Sequence, residues 1–357
     1  MRLEDFDSNF KDKLENVPKN TVFHDIGESP FKIYGVKKQK TDYCAAGCYC
    51  RMDYQYSKTI SDGVSHAIGN PAGGRIRFRT DSPHITLAVK EFSVPKAAAI
   101  SNMNSTGLDI YIEDDKGGSR CFKSAVPPAD NKDGFVFTAE FGNSEMRGLT
   151  INMPTTCGLI DVNIGIKEGS LLEAPLPYTI EKPLVFYGSS ITQGQISSRP
   201  GNSYENIISR HFNCNYLNFG FSGNAKGETA AAEYFKKLDM TAFILDYDHN
   251  APTPEHLKDT HEPFFKIIRE ANPNLPIIIM SRPVFDDDED TVTRREIIKA
   301  TYDNALKNGD KNVYFLSGKE LMAIARYEGI TDNCHPNDLG FYSMAQALIK
   351  VLEDVLK

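Results

Sequence analysis

What the 357-residue chain lacks does much of the early sorting. No stretch approaches the ~18 consecutive apolar residues that a membrane-spanning helix needs. The opening MRLEDFDSNFKDKLENV carries acidic residues and no apolar core, so it does not read as a secretory signal. No Lys/Arg cluster offsets the net charge of −8, which argues against nucleic acid or an anionic membrane as a main partner. The stretch GFSGNAKG has glycines and a lysine but lacks the Gly-Lys-Ser/Thr ending of a phosphate-binding loop. No Gly-x-Gly-x-x-Gly follows an apolar run either, so a nucleotide role is unsupported. Paired CxxC spacing is also missing. The seven cysteines (Cys44, Cys48, Cys50, Cys121, Cys157, Cys214 and Cys334) are odd in number and scattered. That suits free thiols in a reducing cytoplasm better than a disulfide framework or a zinc site. His249, His256 and His261 are spaced seven and five apart, which does not put two imidazoles on one helix face.

What is present fits an ordinary globular chain, 40% hydrophobic and 25% charged, long enough for two domains at roughly 100–200 residues each. Through about residue 20 the chain reads as a lead-in or a short helix. RIRFRTDSPHITLAVKEF (75–92) then alternates apolar and polar residues around Thr-Asp-Ser-Pro, predicting a hairpin of half-buried strands. GLDIYIEDDKGGSRCF (107–122) repeats the pattern, and GFVFTAEF, LTINMP and LIDVNIGI extend it. Short strands with turn signals every ~8–12 residues predict an all-β sandwich, jelly-roll-like, over residues 1–174. Pro175, Pro177 and Pro183 mark a linker over 175–183.

From 184 to 357 the pattern changes. Five apolar runs, PLVFYG, NYLNFG, AFILDYD, PIIIMSRP and NVYFLS, alternate with segments of helical period. Thr253 is a plausible cap for the longest of these. Such alternation predicts an α/β domain with a parallel sheet covered on both faces. Ligands in such sheets bind at the carboxyl ends of the strands, so the loops after each run are where chemistry belongs. The first such loop is Gly188-Ser189-Ser190, the second runs from Asn218 to Gly227, and the third is DYDHN, ending at Asn250. The last holds Asp332 and His335, three residues apart, with Pro336 keeping His335 extended. A hydroxyl, an imidazole, a carboxylate and oxyanion donors are what acyl transfer needs. Taken alone, Asp-x-x-His is common, and Asp332 and His335 read first as an exposed pair before a helix that Asp338 caps.

In this order the four loops resemble the motif blocks of the SGNH (GDSL) hydrolase superfamily. The match spans roughly residues 183–357. The resemblance implies a three-layer α/β/α, flavodoxin-like domain and a serine esterase that needs no metal or cofactor. It makes Ser190 the nucleophile, His335 the base and Asp332 its orienting acid. The oxyanion donors would be the N–H groups of Ser190 and Gly223 and the side chain of Asn250. Two departures stand out. Ser189 replaces the usual Asp of the first block, and its role is open. The third block lacks its Gly and second Asp, so Asn250 rests on being the only Asn in that loop. More weakly, GLDIY and RIRFRTDS are similar to the β-rich domain that precedes some bacterial members, a layout shared with two-domain carbohydrate esterases. That points to a small acyl ester, acetyl first, on a sugar or oligosaccharide. Lipid esters, thioesters and a non-catalytic glycan-binding role stay as alternatives, and a homo-oligomer is left open. Arg199 and Arg282 stand on loops at the same edge as candidates for substrate contact. Arg282 has the acidic run 286–290 as a competing partner.

Overall fold

The computed structural model describes residues 17–94, 99–114 and 118–356. The lead-in or helix expected at the start falls, through residue 16, outside the described residues. The chain divides into two compact units. The first comprises residues through 51, 69–179 and 198–201; the second comprises 52–68, 180–197 and 202–357. The expected linear division with a linker at 175–183 is therefore corrected: the main crossing falls at 179/180, and two short segments are exchanged.

The first unit is built from antiparallel strands. One sheet has the order Thr21–Asp25, Gly158–Lys167, His84–Phe92, Gly134–Glu140. Another runs Leu172–Glu173, Arg75–Thr80, Arg147–Asn152, Leu108–Glu113, Ser119–Ala125, with Lys32–Tyr34 also pairing on Arg75–Thr80. Both sheets feed one core, in which Ile76, Phe78 and Leu149 from the second meet Ile85, Leu87 and Val89 from the first. This is a β-sandwich. The hairpin expected over 75–92 does not form, because Arg75–Thr80 and His84–Phe92 lie in different sheets. The Thr-Asp-Ser-Pro turn carries the chain across the sandwich, held by Ser82 N donating to Thr80 Oγ1 (3.1 Å). Alternation correctly marked one apolar face per strand, but two such faces bury equally well facing each other as side by side. The polar face of Arg75–Thr80 is also covered. Arg77 forms a bidentate pair with Glu113 (2.8 Å on each nitrogen) and lies 4.0 Å from the Tyr178 ring centroid.

The second unit holds the predicted parallel sheet, in the order Cys214–Gly220, Ile180–Gly188, Ala242–Asp246, Ile277–Met280, Val313–Leu316. Counted along this unit the order is 2-1-3-4-5, the flavodoxin-like arrangement, whose switch point lies beside the first strand. Period-two alternation sends Leu184 and Phe186 into a cluster with Phe341, Met344 and Leu348 of the C-terminal helix Asp338–Val355. Tyr187, on the other face, stacks on Phe264 of helix Pro254–Ala271 with centroids 5.0 Å apart. Thr253 caps that helix by accepting from His256 N (3.2 Å). Helices Tyr54–Ile60 and Asp62–Ala67, from the N-terminal half, also belong to this unit. Tyr56 Oη donates to Ala230 O (3.0 Å). A Cβ on Gly63 would come within 1.8 Å of Asn224 Oδ1, so a larger residue there would have to displace the Asn224 side chain of the second strand-end loop.

Candidate active site

The first strand ends in a turn that only glycines permit. A Cβ on Gly188 would lie 2.1 Å from Thr192 Oγ1 and 2.3 Å from Asp246 O, and one on Gly220 would lie 2.1 Å from Gln193 N. With both absent, the turn 189–194 nests against the ends of three strands. Ser189 N donates to Asp246 O (3.2 Å), Gln193 N to Ser189 O (3.0 Å) and Asn218 Nδ2 to Thr192 O (2.5 Å). Ser189 is buried, and its Oγ accepts from Ile191 N (3.1 Å). A short acceptor at this position serves the turn locally, which answers the question the sequence left open about it.

Ser190 Oγ lies 2.8 Å from His335 Nε2. On the far side of the ring, His335 Nδ1 is 2.9 Å from Asp332 Oδ2 and 3.1 Å from Oδ1. The three-residue spacing works because the carboxylate first folds its own loop. Asp332 Oδ1 accepts from the backbone N of His335 (2.8 Å) and of Cys334 (3.3 Å). Partial burial would raise the Asp332 carboxyl, but these N–H groups and the imidazole outweigh it and hold the pKa below the ordinary value. The cap of the following helix is Asn337, accepting from Leu339 N (2.9 Å) and Gly340 N (3.1 Å), and not Asp338.

The other two blocks are linked to the first. Phe221 N donates to Gly188 O (2.8 Å), Ser222 N to Gln193 Oε1 (3.0 Å), and Asn250 Nδ2 to Phe221 O (2.9 Å). Gly223 has φ +68°, with nothing within 4 Å of where a Cβ would stand. Among the described residues, the N–H groups of Ser190 and Gly223 have no protein acceptor, and Asn250 commits one amide N–H only. Arg282 pairs with Asp290 (3.0 Å) and lies 3.7 Å from Asp248; in the first unit, Arg199 pairs with Asp109 (3.1 Å) and bonds Tyr111. Both guanidinium groups thus serve the scaffold. The sequence reading weighed His249 only as a metal ligand; it stands on the turn beside Asn250, with its Nδ1 3.7 Å from Cys334 Sγ. Burial, then the nearby Arg282, His335 and Arg294, press its pKa to about 3, so it stays a neutral imidazole. Among the described residues no three His, Cys, Asp or Glu side chains are placed to share a metal ion.

Beneath the 189–194 turn, Asp246 accepts from Thr192 Oγ1 (3.0 Å), and its pKa is pushed up to about 8 by burial. A native carboxyl titrating so high binds a proton that the unfolded chain, with a carboxyl pKa of about 4, releases earlier. Stability therefore declines as pH rises between those values, at up to about 1.4 kcal/mol per pH unit. Asp246→Asn is expected to remove this part of the slope, read from urea midpoints between about pH 5 and pH 8. Equal slopes in the two proteins would contradict the assignment.

Family models match both parts of the chain. Residues 181–353 match the GDSL-like lipase/acylhydrolase family, and residues 21–172 match the N-terminal domain of SGNH-hydrolase-type esterases. The chain belongs to the SGNH (GDSL) hydrolases, and it is an enzyme of the esterase class. No curated protein matches it. Among solved structures, a Bacteroides ovatus ATCC 8483 protein described as a GDSL-like lipase is 26% identical, covers 94% of this chain and 98% of its own, and superposes with a TM-score of 0.83. A salicylyl-acyltransferase from a tetracycline biosynthetic pathway is 18% identical over 95% and 98%, with a TM-score of 0.76. An acetyl xylan esterase of the rumen bacterium Butyrivibrio proteoclasticus is 13% identical over 94% and 98%, with a TM-score of 0.57.

Proposed function

We propose that the protein is a serine esterase that removes small acyl groups, acetyl first, from a carbohydrate. The observation that carries this reading is the continuous chain Ser190 Oγ–His335 Nε2 (2.8 Å) and His335 Nδ1–Asp332 Oδ2 (2.9 Å). His335 takes the Ser190 proton as Oγ attacks the ester carbonyl. The carbonyl oxygen gains the electron pair and is held by the N–H groups of Ser190 and Gly223 and the Asn250 amide. Collapse of the tetrahedral intermediate breaks the ester C–O bond, and His335 protonates the departing alcohol. Water, deprotonated by His335, then attacks the acyl-Ser190 ester; Ser190 recovers its proton and the acid leaves. Asp332 stays ionised throughout, keeping Nε2 as the acceptor and stabilising the imidazolium.

The acetyl-carbohydrate preference draws support from the two-part layout that this chain shares with the acetyl xylan esterase along nearly its whole length. Initial rates on p-nitrophenyl acetate, butyrate and octanoate test the acyl group, and a panel of acetylated oligosaccharides read by NMR tests the sugar. Acetate is expected to be the fastest of the three. Octanoate outrunning acetate would move the assignment to lipid esters. The same acyl-enzyme could pass its acyl group to an alcohol in place of water, the chemistry named for the acyltransferase neighbour. An added acceptor alcohol that diverts product from acid to new ester would select that reading.

A further inference from the structure

The turn that carries Asn250 is braced by a buried cation that no chemical step uses. Arg294 stands on helix Glu289–Lys307 and is 5% exposed. Its Nη1 donates to the carbonyl oxygens of Asp248 (3.2 Å) and Ala251 (3.0 Å), the residues on either side of His249 and Asn250. The same nitrogen lies 3.5 Å from Asp248 Oδ1, and Nε is held by Asp290 at 2.9 and 3.1 Å. Asp248 is itself buried, and its Oδ2 accepts from Arg282 N (2.9 Å), tying the turn to the loop after the fourth strand. The three-residue 3-10 turn Asp248–Asn250 thus has its flanking carbonyls pinned by one planar group. An oxyanion donor misplaced by a few tenths of an ångström loses much of its effect, and side chains on short turns hold position only through such supports.

We propose that Arg294 is a positioning residue for the oxyanion hole, setting the placement of Asn250 by tying the carbonyls on both sides of it. The inference rests on the esterase reading above. Lysine keeps the charge but not the rigid fork, so Arg294→Lys tests geometry more than electrostatics. It is expected to lower kcat by about 10- to 100-fold with KM within about twofold. Asn250→Ala is expected to cost about 10²–10³ in kcat. The double variant should be no slower than Asn250→Ala alone, because the brace then has nothing to place. Arg269 is the comparison. It clamps the carbonyls of Asn272 (3.0 Å) and Asn312 (3.1 Å) near the amino ends of the strands, so Arg269→Lys should lower Tm and leave kcat unchanged.

An unchanged kcat in Arg294→Lys, or losses that multiply in the double variant, would overturn the proposal. A wild-type kcat in Asn250→Ala would instead remove the oxyanion reading and this inference with it. Should Arg294→Lys fail to fold, Asp290→Asn loosens the same guanidinium from a side chain that is 48% exposed. It should then show a smaller kcat loss that vanishes in the Asn250→Ala background, and a loss that persists there would overturn the brace.

Discussion

Ser190→Ala is expected to lower kcat on acetyl esters by about 10⁴–10⁶ while changing KM little. Among the described residues, the only side-chain partner of Ser190 Oγ is His335 Nε2, so the substitution removes the attacking atom and leaves the turn intact. The turn's own bonds run through Ser189, Gln193 and Asn218, not through the Ser190 hydroxyl. Binding and the oxyanion donors survive, which is why a residue of catalysis over solution, about 10³–10⁴, should remain. The measurement is kcat and KM on p-nitrophenyl acetate, with a thermal melt to show that the variant folds as the wild type does. A folded Ser190→Ala protein that keeps about a tenth or more of wild-type kcat would sink the serine mechanism, since only binding and the oxyanion donors would then remain to speed the reaction.

The second large effect belongs to Asp332→Asn, expected to cost about 10³–10⁴ in kcat. The substitution is nearly isosteric. One carbonyl oxygen can still accept from the backbone N–H groups of His335 and Cys334, which now both bond Asp332 Oδ1. The loop should therefore keep its shape, and Tm should move little. What changes is the partner of His335 Nδ1. An amide N–H facing that nitrogen makes it an acceptor, which places the ring proton on Nε2, where Ser190 needs a base. The partial exposure of Asp332, 35% of its side chain, lets water compete for the imidazole and sets the expected loss near the lower end of that range. An Asp332→Asn enzyme with unaltered kcat would show that the short Asp332–His335 contacts organise the loop without serving the chemistry. Asp332→Ala separates the two roles, because it should lose both Tm and rate.

Much of the second unit was legible in the sequence. All five parallel strands and their flanking helices lie where apolar runs and helical periods alternate. The reason is physical: strands buried on both faces must be apolar throughout, and helices that cover them must be amphipathic. Ser190, Gly223, Asn250, Asp332 and His335 were singled out because each stands on a loop beyond a strand end and because their order matches a family pattern.

Other features stayed hidden for equally physical reasons. Residues 54–67 carry ordinary caps, Asp53 and Ser61, yet nothing local says that their helices join the second unit. Nothing around Gly63 marks its close approach to Asn224, whose Oδ1 lies 1.8 Å from where a Cβ would stand. The strands on either side of Thr-Asp-Ser-Pro alternate as hairpin strands do and still belong to opposite sheets. Arg294 looks like one more charge on a charged helix.

By itself, then, the sequence determined which residues are buried on which face, which loops end the strands, and which residue types stand on them. These follow from short-range periodicity and from the fixed backbone needs of glycine, proline and capping residues. Only the tertiary structure decided which faces meet, how close the Ser190 hydroxyl lies to the imidazole, and which guanidinium braces the Asn250 turn. The last two of these depend on residues 43 to 145 positions apart in the chain, Arg294 with Ala251 and Ser190 with His335. Separations of that size leave no mark on local pattern.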